Sequence, residues 1–100
     1  MPLTKGFKNR KQLLYHFQKH NTEFGFIDEN SYLNSADAFL GSPKNTGVFE
    51  CIRKSDGAIV RYNLKTNEFG IINQIGVIIT YFKPNLRNKT SIDYFSDQCK

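Results

Sequence analysis

Hydrophobic positions along this chain change their period once. Before residue 41 they recur at helical spacing, and from Val48 onward they alternate as strand residues do. Leu13, Leu14 and Phe17 form a stripe covering about 100° of helical arc, which predicts a first helix over residues 9–20. Gly25 suits its stop. Tyr32, Leu33, Ala36, Ala38, Phe39 and Leu40 predict a second helix over residues 31–40. Asn30 or Ser31 would cap its start, and Gly41-Ser42-Pro43 would end it. Residues 1–8, polar and basic with Pro2 and Gly6, read as a loose lead-in.

Four strand-like runs follow, over residues 48–53, 58–64, 69–73 and 77–82. Ser55-Asp56-Gly57 is a hairpin turn. Residues 65–68 and Gln74-Ile75-Gly76 turn the chain twice more. Short connections between successive strands imply an antiparallel meander, and the two helices must cover one of its faces. The expected class is therefore α+β: N-terminal helices packed on a four-stranded antiparallel β-meander, with residues 1–100 forming one domain. Residues 84–90 read as a polar, basic loop. Residues 91–95 read as a short helix returning Ile92, Tyr94 and Phe95 to the body.

Composition adds the kind of partner. The chain is 39% hydrophobic and 23% charged, with nine Phe and five Tyr, an ordinary balance for a packed core. Its net charge of +5 and pI near 9.3 favour an anionic partner: RNA, DNA, an anionic membrane or an acidic protein. No apolar stretch follows the basic N-terminus, so no signal peptide is expected. The longest apolar run, residues 77–82, is too short to span a bilayer. Cys51 and Cys99 are spaced as neither a disulfide framework nor a Cys-x-x-Cys site. Both read as free thiols, Cys51 as a small buried hydrophobe, with a single bond between them the alternative.

The candidate chemistry sits in His16-Phe17-Gln18-Lys19-His20-Asn21-Thr22-Glu23-Phe24-Gly25, which holds both histidines of the chain. Residues i and i+4 of a helix lie about 6 Å apart, so His16 and His20 can address one phosphate. RNA carries its own nucleophile, the ribose 2′-OH. Cleaving it needs a base, an acid and cations for the phosphorane charge, and histidine suits either proton role near neutral pH. The bland reading is two fillers beside an apolar stripe. His-x-x-x-His is also a zinc spacing, with Glu23 or Asp28 as a third ligand, but no full ligand set is in view. No metal or cofactor is expected.

Other residues carry two readings each. Lys19, about 100° round the helix from His20, is a candidate RNA-backbone contact. Arg61 is either a solvent-facing strand residue or a fork for phosphate. Thr80 is either a β-former or a phosphate donor. Tyr62, Tyr81 and Phe82 are core or base-stacking rings. Lys83, Arg87 and Lys89 are a solvated loop or a track for a nucleic-acid backbone. No Gly-rich phosphate loop, nucleophile elbow or cysteine–histidine pair is evident.

Taken in order, the histidine segment, Tyr32, Ala38-Phe39-Leu40, Arg61-Tyr62, Thr66-Asn67-Glu68-Phe69-Gly70, Thr80-Tyr81-Phe82-Lys83-Pro84 and Asp93-Tyr94-Phe95 resemble a bacterial polymorphic-toxin RNase domain. Such domains lie at the C-termini of contact-dependent inhibition and YD-repeat toxins and are grouped with barnase, EndoU, colicin D and RelE. The resemblance runs from about residue 11 to residue 99. It implies a helical N-terminal part before a four-stranded antiparallel sheet, and metal-free endoribonuclease activity, often on tRNA. It also implies a cognate immunity protein and action in a cytoplasm, own or target. By the same resemblance His16, His20, Arg61 and Thr80 fall on the family's site motifs. A non-catalytic RNA-binding module and a basic protein-interaction domain are the rival expectations.

Overall fold

In the computed structural model, residues 3–25, 28–43, 47–85 and 90–100 are described. Helix α1 spans Arg10–Phe24; the Asn9 side chain caps it by accepting the Gln12 N–H, and Gly25 closes it at φ 68°. It runs a turn beyond residue 20, up to the Gly25 stop. Phe24, in that extra turn, packs its ring at 4.7 Å from Tyr81 and 5.8 Å from Tyr32, burial that the local spacing did not announce. Helix α2 spans Glu29–Gly41 and is capped by Asp28, whose carboxylate accepts the Ser31 N–H, rather than by Asn30 or Ser31. A carboxylate at a helix N-terminus also complements the helix dipole.

Strands β1 (Val48–Ile52), β2 (Ile59–Asn63), β3 (Glu68–Ile72) and β4 (Ile78–Phe82) pair in sequence order, all antiparallel. Between β3 and β4 the register steps, pairing Ile71 with Thr80 and Ile72 with Ile78, so Ile79 stands without a partner. Helix α3 (Ser91–Gln98) starts at Thr90, whose hydroxyl accepts the Asp93 N–H, and exceeds the expected 91–95. The class is α+β, as the periodicity implied.

Both faces of the sheet are covered. On one, α1 and α2 bring Leu13, Tyr32, Ala36 and Leu40 onto Ile72, Ile78 and Tyr81. On the other, α3 lays Phe95 over Val60, Tyr62, Phe69 and Ile71. Gly70 of β3 is required for the first packing: a Cβ there would stand 2.9 Å from Leu40 Cδ2. No helix among the described residues is long and apolar enough to cross a membrane.

Two expectations are corrected. Residues 3–7 of the lead-in are not loose. Asp37 accepts the Leu3 and Thr4 N–H groups at 2.8 and 2.7 Å, and Gly76 O accepts from Lys5 at 2.8 Å. Phe7 then forms a parallel bridge with Ile78 and is buried. The lone aromatic, seated in the core, fixes a segment whose polar composition suggested freedom. Second, Cys51 and Cys99 are not free thiols. They form a disulfide with Cα atoms 5.9 Å apart, joining β1 to the end of α3. Sequence spacing could not bring residues 48 apart together; the docking of α3 on the sheet does.

Candidate functional site

The last turns of α1 pass along the edge strand β4, and four rings line up there. Phe7 lies on His16 with centroids 5.1 Å apart, His16 on His20 at 6.2 Å, and His20 on Phe82 at 5.1 Å. Their planes differ by 25°, 20° and 22°, so the two imidazoles are interior rungs of one stack. Helix spacing alone sets the histidine pair. The outer rungs come from the N-terminal segment and from β4, elements that only the fold brings to α1.

His20 is held at its other edge. Its Nδ1 lies 2.9 Å from Glu23 Oε2, three residues on along the helix. Glu23 is fixed in turn, because Oε1 accepts the Lys83 main-chain N–H at 2.9 Å. The carboxylate thus bridges α1 to the strand end, and in a neutral His20 it favours the tautomer with the lone pair on Nε2. The sequence offered Glu23 a role of its own as a possible zinc ligand. Its i, i+3 spacing from His20 was the available signal for this pairing.

His16 differs. Its Nδ1 is buried with no hydrogen-bond partner. Burial first, then the nearby His20 and Lys19, hold its pKa below the ordinary histidine value. A proton on Nδ1 would go unsatisfied in that setting, so the neutral ring carries it on Nε2. As neutral rings the two histidines therefore differ in kind: His20 offers a lone pair, His16 an N–H.

Lysines border the ladder. Lys19 is exposed, with Nζ 5.7 Å from the Tyr15 ring centre. Lys83 joins the site through its main chain and sets Nζ 5.1 Å from the Phe24 ring. Thr80 is half-buried on the face it shares with Phe82. Two residues of strand, about 6.6 Å, separate it from the ring that touches His20, so Thr80 is a rim residue. Arg87 and Lys89 lie outside the described residues.

Three expected site residues are placed elsewhere. Arg61 is not a free phosphate fork. Its Nε donates to Glu50 at 2.7 Å, and Nη1 donates to the carbonyls of Phe39 and Ser42 at 3.0 and 2.6 Å. It is buried and ties the end of α2 to the sheet. Gly70 separates it from Tyr81 across the sheet, placing it two strands in from β4, roughly 10 Å. It opens instead onto a separate cleft of about 320 Å³, with Ser35, Phe39, Asn63 and Glu68. Tyr62 is buried beneath α3 and donates its hydroxyl to Asn67 Oδ1 at 2.8 Å. Tyr81 is fully buried among Phe24, Tyr32 and Phe39, and its hydroxyl donates to Glu68. Burial first, with the Glu68 carboxylate beside it, drives the Tyr81 pKa far above the ordinary phenol value. Neither tyrosine offers a face to a base. Both were indistinguishable from surface rings because strand alternation does not say which face a helix will cover.

Among the described residues, no three His, Cys, Asp or Glu side chains are grouped as a metal site. No protein-family model matches the chain, and no curated protein matches it either.

Proposed function

We propose that this protein is an endoribonuclease that needs no metal, cutting RNA by 2′-OH attack to leave a 2′,3′-cyclic phosphate. The observation that carries this reading is the oriented pair of imidazoles: His20 fixed by Glu23 at Nδ1, and His16 stacked on it with the opposite tautomer favoured.

In this reading His20 Nε2 is the general base. It takes the 2′-OH proton as the 2′-oxygen bonds to phosphorus and the bond to the 5′-oxygen breaks. Glu23 holds the ring in register and accepts the hydrogen bond from Nδ1–H throughout, the proton staying on the ring. His16, neutral at physiological pH because its pKa is lowered, donates Nε2–H to a non-bridging oxygen. The ammonium groups of Lys19 and Lys83 meet the remaining phosphorane charge. Water at the open edge protonates the leaving 5′-oxygen. Arg61 acts as a strut, and Thr80 stays at the rim.

The substrate follows from the family resemblance, which favours tRNA. The same reading makes a cognate immunity protein the partner. A non-catalytic RNA-binding module would lose the stacking surface expected of Tyr62 and Tyr81, since both are buried.

The test is incubation of the purified protein with total bacterial tRNA in EDTA, read on a denaturing gel with end-group analysis. Fragments ending in cyclic phosphate are expected. Glu23→Gln should slow cleavage by about 10²–10⁴-fold, because an amide cannot enforce the His20 tautomer. The dyad is part-exposed, so the variant should lose under about 1 kcal/mol of stability. Intact tRNA from a folded wild-type protein, or full activity in His16→Ala/His20→Ala, would overturn the assignment.

A further inference from the structure

Helix α3 touches the histidine ladder through side chains. Phe82, the outer rung beneath His20, is also met by Tyr94 of α3, edge-on at 6.1 Å. Tyr94 rests in turn on Phe69 at 5.1 Å. The path from α3 to His20 is therefore two ring contacts long.

Helix α3 packs on the sheet through Phe95, with Ile92 and Tyr94 beside it. It has eight residues, of which Phe95 alone is buried, and a helix that short is not stable by itself. Its end is fixed covalently: Cys99 is bonded to Cys51 of β1, the strand at the opposite edge of the sheet from β4. The bond thus clamps α3 across the sheet, and Tyr94 is carried on that clamp. Both cysteines are half-buried rather than sealed in the core.

We propose that the Cys51–Cys99 disulfide is a redox switch for the histidine site. Oxidised, it pins α3 so that Tyr94 and Phe82 hold the His20 ring against Glu23. Reduced, α3 loosens, Phe82 loses its backing, and His20 leaves its register with Glu23 and His16. Tyr94 and Phe82 are positioning residues. The chemistry is thiol–disulfide exchange with a small or protein dithiol: the Sγ–Sγ bond breaks, each cysteine gains a proton, and the reductant leaves as its own disulfide. The effect on cleavage rests on the nuclease reading; the effect on His20 does not.

The experiment is aromatic NMR of the whole chain. Two histidines give two sets of ring signals, assigned with His16→Gln. Spectra are compared for the oxidised protein, the dithiothreitol-reduced protein, Cys51→Ser/Cys99→Ser, and oxidised Tyr94→Leu. Reduction, the double serine variant and Tyr94→Leu should each shift the His20 ring protons and weaken their nuclear Overhauser contact with Phe82. RNA cleavage should fall about a hundredfold on reduction, the cost of misplacing a catalytic group by ~1 Å. An unchanged His20–Phe82 contact in the reduced protein and in Tyr94→Leu overturns the proposal. If reduction unfolds the chain, Tyr94→Leu decides alone: His20 moves, or the switch is wrong. A His20 that moves while RNA stays intact in both states keeps the switch and removes the nuclease.

Discussion

Removing the disulfide should cost this fold more than any single core contact. In Cys51→Ser/Cys99→Ser α3 loosens in the native state, but the larger cost falls on the unfolded state, which the bond no longer closes into a loop. The bond joins residues 48 apart. The chain-entropy relation for such a loop gives about 4 kcal/mol at 25 °C. For 100 residues, unfolding entropy near the transition makes that a fall in Tm of roughly 20 °C. Whole-domain stabilities run about 5–15 kcal/mol, so the variant should stay folded at room temperature with little margin. Urea unfolding followed by circular dichroism, with and without reductant, measures it. The stability in water should drop by about 4 kcal/mol, and the slope should rise, because the uncrosslinked unfolded chain exposes more surface. Reductant should act on the wild type and leave the double variant unmoved. A loss under about 1 kcal/mol would refute the reasoning. It would mean that the apolar packing of α3, rather than its covalent tie, already confines the chain.

Other consequences are open to measurement. Arg61→Ala leaves the Phe39 and Ser42 carbonyls without their donor, while the exposed Glu50 carboxylate is taken up by water; denaturant unfolding should show a loss of about 1–3 kcal/mol, with cleavage per folded molecule retained. Gly70→Ala sets a methyl 2.9 Å from Leu40 Cδ2 and should cost about 1–3 kcal/mol; adding Leu40→Ala should recover part of that, a non-additivity visible in a double-mutant cycle. His16 has a folded pKa below the ordinary 6.5. Its neutral form is favoured in the fold, so its contribution is complete above pH 6.5 and is lost as pH falls from there toward the folded value. Thermal melts across that window should show the loss in wild type and a flatter profile in His16→Gln.

The expected elements are present, and their type follows from local pattern. The helical stripe of Leu13, Leu14 and Phe17 and the alternation after Val48 express periods that a residue's near neighbours set. The pairing of His16 with His20 belongs to the same class, since four residues of helix bring side chains together whatever surrounds them. The bond from Glu23 to His20 is equally local, and its spacing was on view.

What the sequence could not decide concerns partners distant in the chain. Arg61 reads alike as a solvent-facing residue and as a phosphate fork, and it becomes a strut only because α2 ends above it and Glu50 pairs across from it. Tyr62 and Tyr81 alternate as surface rings would, and only the placing of helices on both faces buries them. Phe7 gives no period of its own, yet it locks the N-terminal segment to β4 and closes the ladder on His16. The disulfide shows the same limit, because no spacing rule joins residues 48 apart. Periodicity fixes which side of an element a residue takes. What covers that side is decided when elements pack, where the free energy of burying one face depends on every other face that seeks cover.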